Sequence, residues 1–423
     1  MRASRGIERA LAVSLVSWII GAGLPGITTA ATLEHCGRQR PLAFELTQGE
    51  NINRFYRDGP VAAHLAVRSG TQPHIVIAFP AGDSGAGVWF APTRQPVRWE
   101  VAAPPRPVRI LDRHGRPMYG ITAELRASGA DLQLQQAVLS SIRALREYAV
   151  SGSVPADIRV TPLVHDGQLS WSRQRLDGKA EYRLNLVILR GRLQGNRIAA
   201  AGDGRIELRI TALSGETPLT PLSDGQLLRD CEAALPATQD SLLFLSYKEK
   251  LLAGSWRYDT YFGRDTLISV ALLMPDLRPE AVGWALRSVL TRLSAIGEVA
   301  HEEDIGEEAI LDHVRAGDAA TDAPVYSYTM IDENYLLAIV LGEWLSAQNV
   351  GQHRVAALLR QKVDQNPPSS SPLGSRLVTN LRYVLRSAAP FSISPTLAHL
   401  IGLKSGAAAG QWRDSNGATA MTD

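Results

Sequence analysis

Between Gly254 and Met274 the chain sets four aromatic residues, Trp256, Tyr258, Tyr261 and Phe262, ahead of Gly263 and an adjacent Arg264–Asp265 pair. Thr266 to Met274 is then almost wholly apolar. Rings, a guanidinium–carboxylate pair and an apolar helix make up the composition of a sugar pocket at a helix mouth. Aromatic faces cover the C–H faces of a pyranose, and an Arg–carboxylate pair offers donors and acceptors in fixed geometry to neighbouring hydroxyls. The helix start adds free N–H groups. A plainer arrangement uses the same residues: Asp265 in the first helical turn, favoured by the dipole, and the rings in a core. The residues alone leave both open.

Three further stretches could bring carboxylates to the same place. In Gly297-Glu-Val-Ala-His-Glu-Glu-Asp304, His301 and Glu302 open an acidic run. The acidic residues there and at Glu307 and Glu308 would equally suit a solvated helix start or a cation, although the spacing of a calcium-binding helix–loop–helix is absent. In Tyr326-Ser-Tyr-Thr-Met-Ile-Asp-Glu-Asn334, Asp332 precedes an apolar helix as a pocket carboxylate, a helix cap, or both. Gly410-Gln-Trp-Arg-Asp-Ser-Asn416 sets Asp414 beside Trp412. Glycosidic cleavage needs a carboxylic acid near the leaving oxygen, and inversion needs a second carboxylate across the ring to activate water. On the residues alone Asp414 reads as an exposed loop Asp.

The run Tyr261-Phe-Gly-Arg-Asp-Thr-Leu-Ile-Ser269 resembles the opening motif of the six-hairpin glycosidases. These include the glucosidase part of glycogen-debranching enzymes, the glucoamylases and the trehalases. The resemblance implies that Arg264 and Asp265 hold the terminal sugar, with Trp256, Tyr261 and Phe262 lining its site. The Gly297–Asp304 stretch is similar to the loop with the pattern Gly-x-Ile-Pro-His-Glu, with Ala300 in place of its proline. By that likeness His301, Glu302 and Asp332 contact sugar hydroxyls. Trp412 and Asp414 are similar to the segment bearing the general acid, whose pKa must be raised to keep its proton. The implied activity is inverting hydrolysis of terminal α-glucosyl linkages in an oligosaccharide or polysaccharide, with no metal and no organic cofactor. The family's catalytic base, a downstream Glu, has no matching segment here. The expectation is therefore a truncated chain with impaired activity; a non-catalytic carbohydrate-binding envelope protein is the alternative.

Two kinds of element must position these residues. Up to about Pro236 the chain reads as short β-rich runs, among them Ile75–Phe79, Gly87–Phe90, Val97–Val101, Ile158–Thr161, Tyr182–Leu189 and Arg205–Thr211, split by Asp-Gly turn pairs. Asp131 to Tyr148 carries apolar residues at helical spacing and is expected as one helix. From Ala237 the periodicity is helical: Asp240–Leu252, Arg264–Met274, Pro279–Ile296, Asp332–Ala347 and Arg354–Val363, with shorter candidates at Ser375–Ser387 and Ser394–Leu403. The expected fold is multidomain β + α: an antiparallel β-sandwich over 32–236, followed by an incomplete (α/α)6 toroid over 237–423.

Arg2, Arg5 and Arg9, the apolar run Ala10–Leu24 and the small residues Thr28 to Ala31 read as a signal peptide over 1–31. The expected destination is the periplasm or the medium, with no membrane span after cleavage. Cys36 and Cys231 could form a disulfide in that compartment. The formal charge of +2 over 423 residues gives no reason to expect a nucleic-acid partner. With 45% hydrophobic and 20% charged residues the chain can bury ordinary cores. Oligomeric state is not legible.

Overall fold

The computed structural model describes residues 40–230, 236–346, 352–362, 371–402 and 404. The expected signal peptide, Cys36, Cys231, Trp412 and Asp414 lie outside them. Fifteen strands precede the main helices: β1 Leu42–Gln48, β2 Asn51–Asp58, β3 Val61–Arg68, β4 His74–Phe79, β5 Ser84–Phe90, β6 Arg98–Val101, β7 Arg106–Leu111, β8 Pro117–Ser128, β9 Leu132–Ser141, β10 Leu163–His165, β11 Gln168–Gln174, β12 Glu181–Arg190, β13 Arg192–Gln194, β14 Arg197–Ala199 and β15 Arg205–Ser214. One antiparallel sheet runs β1-β2-β3-β4-β5-β9-β14-β13, and the other runs β10-β11-β12-β15-β8-β6, with β7 also paired to β8.

The sheets pack face to face, as alternation along their strands dictates. On β15, Ile206, Leu208, Ile210 and Ala212 are buried, while Arg205, Glu207, Arg209 and Thr211 face outward. They meet Ile75, Ile77, Val88 and Leu139 of the first sheet in one core. β5 is buried along its whole length because its other face is covered too. There α1 (Ile142–Ser151) packs through Ile142, Leu145 and Tyr148 on Val76, Trp89 and Val138.

The stretch expected as a helix over Asp131–Tyr148 is instead β9 followed by α1. β9 sits between β5 and β14, and Leu132, Leu134 and Leu139 fit a strand's core face as well as a helix stripe. Ser141 ends the strand and caps α1, its Oγ accepting from the Ala144 N–H. Ile158–Thr161 is likewise not a strand: Ala156–Ile158 forms a single 3-10 turn that buries Ile158 against the α1 cluster.

The helical part contains α2 (Pro236–Phe244), α3 (Gly263–Leu273), α4 (Pro279–Thr291), α5 (Gly306–Arg315), α6 (Glu333–Ser346), α7 (Gln352–Arg360) and α8 (Leu373–Ile393). α2 stops at Phe244, short of the expected Leu252. Beyond it the backbone folds back, with the Tyr247 N–H donating to Lys250 O and the Leu252 N–H to Leu245 O. Leu267, Val270, Leu286, Val289, Leu337, Val340, Trp344 and Leu377 share one core, which Leu42 and Phe55 of the sandwich join. The described residues thus give a β-rich region and a helical layer on one of its faces. Helices α2, α3, α4, α6, α7 and α8 pack on a common core, a coarser arrangement than the toroid the resemblance implies.

Candidate functional site

Three loops meet at the N-terminus of α3. Phe262 bridges Glu302 in antiparallel fashion, and the Gly263 N–H donates to His301 O at 2.9 Å. The His301 N–H in turn donates to Ser327 O at 2.7 Å. Beside it β16 (Glu302–Asp304) pairs with β17 (Val325–Ser327). This approach demands glycine at 263, since a Cβ there would lie 2.2 Å from Ala300 O. Two buried asparagines pin the middle loop from behind. Asn334 Oδ1 accepts from the Val299 N–H at 2.7 Å, and Asn380 Nδ2 donates to Gly297 O at 2.8 Å.

Into this meeting point α3 projects Arg264, 7% exposed, and the start of α6 brings Asp332 and Glu333. Arg264 Nη1 lies 3.6 Å from Asp332 Oδ1. Asp332 is about one-third exposed and also accepts from the Glu333 N–H at 3.0 Å, at the start of α6. Fully buried Glu333 sets Oε2 3.2 Å from His301 Nδ1. Burial pushes the Glu333 carboxyl above its ordinary range, and the His301 contact opposes it. The Phe262 ring stands edge-on to the His301 imidazole at 5.3 Å, and Tyr258 stands edge-on to Phe262 at 6.2 Å. Asp265 lies half-buried in the first turn of α3. A guanidinium, carboxylates, an imidazole and an aromatic edge thus converge from three loops, a set able to bind several hydroxyls in fixed directions.

The other candidates are placed differently. Trp256 joins the α1 cluster, its backbone N–H donating to His64 Nδ1 at 3.1 Å. His64 is fully buried, which drops its pKa to about 3 and keeps it a neutral acceptor. Tyr261 is fully buried in the helical core under the Arg292 guanidinium, 4.4 Å from its ring centroid. Glu302 turns to the sandwich and pairs with Arg143 at 2.8 Å. These three side chains hold the structure together around the site.

A neighbouring group of charges escapes sequence reasoning. Lys250, 1% exposed, places Nζ 2.9 Å from both Asp83 Oδ1 and Glu303 Oε1, and Arg292 Nε donates to Glu303 Oε2 at 2.5 Å. Burial pushes Glu303 up, but Arg292 and Lys250 outweigh it and hold the carboxyl well below its usual range. Asp83, with one cation, is left raised by burial. Asp259 is 1% exposed with neither carboxylate oxygen hydrogen-bonded, and burial followed by the Asp83 charge raises it well above an ordinary Asp. The acidic start of α5 is not solvated either. Glu307 accepts from Ser140 Oγ at 2.5 Å and from Arg173, and Glu308 accepts from Ser141 Oγ at 2.5 Å. The acidic run Glu302–Glu308 was the available signal, and what it lacked was the partners' positions.

Among the described residues no group of three or more His, Cys, Asp or Glu side chains is arranged to hold a metal ion, and no helix is long and apolar enough to cross a membrane. No protein-family profile and no curated protein matches the chain. Among solved structures, a chain described as a kojibiose phosphorylase from the human microbiome overlaps 77% of this chain and 48% of its own length, at 7% identity and a TM-score of 0.27. This chain therefore spans about half of that one. At that score the overlap carries no argument about fold or function.

Proposed function

We propose that the three-loop site at the start of α3 binds the terminal sugar of an α-glucosyl oligosaccharide or polysaccharide, in the manner of a six-hairpin glycosidase. The observation that supports this best is the convergence of Arg264 and Asp332, 3.6 Å apart, from the starts of two different helices. A buried guanidinium beside a part-exposed carboxylate is poor stabilising material, because desolvation offsets most of the attraction. It is good binding material, because adjacent hydroxyls can donate to the carboxylate and accept from the guanidinium together. In this proposal Asp265, His301 and Glu333 complete the hydroxyl contacts and Phe262 supplies the apolar edge. Asp414 protonates the leaving oxygen, Trp412 of the same segment contacts the sugar, and water attacks with inversion, its proton passing to solvent. No residue of this chain is assigned as the base.

A second reading, sugar binding without cleavage, has its own support. Among the buried acids beside the site, Glu303 is committed to Lys250 and Arg292, which hold it ionised. Groups held ionised in this way are poor proton donors. Saturation-transfer NMR with methyl α-glucoside tests the shared core of both readings, with Arg264→Ala expected to abolish the signal. Incubation with maltose, isomaltose, trehalose and a nitrophenyl α-glucoside then separates them. Turnover lost in Asp414→Asn supports hydrolysis, binding without turnover supports the second reading, and no binding by the folded wild type refutes both. Export through residues 1–31 belongs to the same proposal and is tested by fractionating expressing cells.

A further inference from the structure

We propose that the groove between α4 and α7 is a second carbohydrate site, which takes a neutral oligosaccharide chain and shares no residue with the Arg264 cluster. The groove encloses about 460 Å³ and is lined by side chains of α4, α6, α7 and the Lys248–Glu249 turn. That volume falls within the ~300–1,000 Å³ usual for ligand sites. Glu280, Trp284 and Arg287 recur at helical spacing and so share one face of α4. Arg354 and Gln361 answer them from α7 and just beyond it.

The chemistry of the lining selects the ligand. The Trp284 indole is half-buried, with Lys248 Nζ 5.5 Å from its ring centroid. The rims are tied across the groove by two planar pairs, Arg354 to Glu280 and Arg287 Nε to Gln361 Oε1 at 3.1 Å. Each guanidinium carries five N–H donors, so donors remain for a ligand in both pairs. In the wall, the Trp344 indole N–H has no acceptor. An indole platform between planar donor–acceptor pairs matches a pyranose, whose C–H face lies on the ring while its hydroxyls reach the rims. Lys248, Arg287 and Arg354 against Glu249 and Glu280 leave the lining near neutrality. That balance favours a neutral glycan over a polyanion.

The α-glucan probes used in the test rest on the proposed function; the groove's ligand class does not. Affinity electrophoresis of the full chain in gels holding soluble starch, hydroxyethyl cellulose or heparin gives the readout. The wild type should be retarded by a neutral polysaccharide, and Trp284→Ala should lose at least about tenfold of that affinity. Should Trp284→Ala fail to fold, the exposed pair Arg287→Ala with Gln361→Ala must weaken retardation in its place. Retardation by heparin alone, retardation by no polymer, or unchanged retardation of the groove variants overturns the proposal. Methyl α-glucoside binding, sensitive to Arg264, is measured separately, so either site can fail without the other.

Discussion

Replacing Lys250 by methionine tests the buried charges directly. Its ammonium touches Asp83 and Glu303 at 2.9 Å each, with all three side chains almost wholly shielded from water. Methionine keeps the length of the stem and removes the charge. Glu303 retains Arg292, whereas Asp83 loses its cation and faces Asp259 and Glu303 as further acids. Breaking a buried pair by removing one partner costs about 3–5 kcal/mol, and that is the expected loss for Lys250→Met at pH 8. Asp83→Asn in the same chain removes the orphaned charge, so the double variant should recover about 2 kcal/mol, a coupling typical of contacting residues.

The pH dependence carries its own sign. Burial already holds Asp83 at about 6 in the wild type, and loss of Lys250 raises it further. A carboxyl whose folded pKa is raised contributes stability that is complete below its unfolded value and is lost as pH rises through the folded one, at about 1.4 kcal/mol per unit. Lys250→Met should therefore be milder at pH 5 than at pH 8. Urea unfolding followed by tryptophan fluorescence and by circular dichroism measures this, with coincident curves required before a free energy is taken. A loss under about 1 kcal/mol at pH 8, or an Asp83→Asn change that adds to the damage, would refute the buried cluster.

Other outcomes follow from the same geometry. Arg264→Ala should leave the circular dichroism spectrum intact and weaken sugar binding by about 2–5 kcal/mol, the range for truncating one partner of a buried charge pair, as read by NMR titration. Asp259→Asn removes a buried carboxyl whose folded pKa is raised, so its urea midpoint should exceed that of the wild type at pH 9, with the gap closing toward pH 5. Glu303 works in the opposite sense: its depressed pKa gives stability above its ordinary range that is lost as pH falls, visible as acid unfolding delayed in wild type relative to Glu303→Gln. Gly263→Ala drives a methyl group into Ala300 O and should cost about 3 kcal/mol or more, while Gly342→Ala, in open space on α6, should gain about 0.5–1 kcal/mol.

What could be read from the chain divides by range. The alternation of Arg205 to Thr211 reads as strand because one face is wet and the pattern lies within a few residues. The apolar stripes of α3, α4 and α6 read as helices for the same reason. Asp131–Tyr148 misleads because Leu132 and Leu134, two apart, fit a strand while Leu132 and Leu139, seven apart, fit a helix, and the flanking strands settle it. At the site, Arg264, Asp265 and Phe262 stand in one recognisable run, and His301 and Asp332 follow in two others. The roles of Trp256, Tyr261 and Glu302 are set by His64, Arg292 and Arg143, which no local pattern connects to them. Lys250 is the extreme case, since its partners lie 167 and 53 residues away.

The long-range charges also explain why the site takes its shape. Along β16 successive side chains point to opposite faces. Glu302 and Asp304 accordingly reach Arg143 of the sandwich, while Glu303 reaches the opposite way to Lys250 and Arg292. The strand that follows His301 is thus gripped on both faces, and one grip comes from the β-rich part. Lys250 itself binds Asp83, which precedes β5 in a left-handed conformation (φ 45°) that aspartate tolerates better than most non-glycine residues. The sandwich therefore acts as more than a neighbour. It holds through Arg143 and Asp83 the loop that sets His301 against Glu333, so a change at either residue should reach the proposed sugar site without touching it.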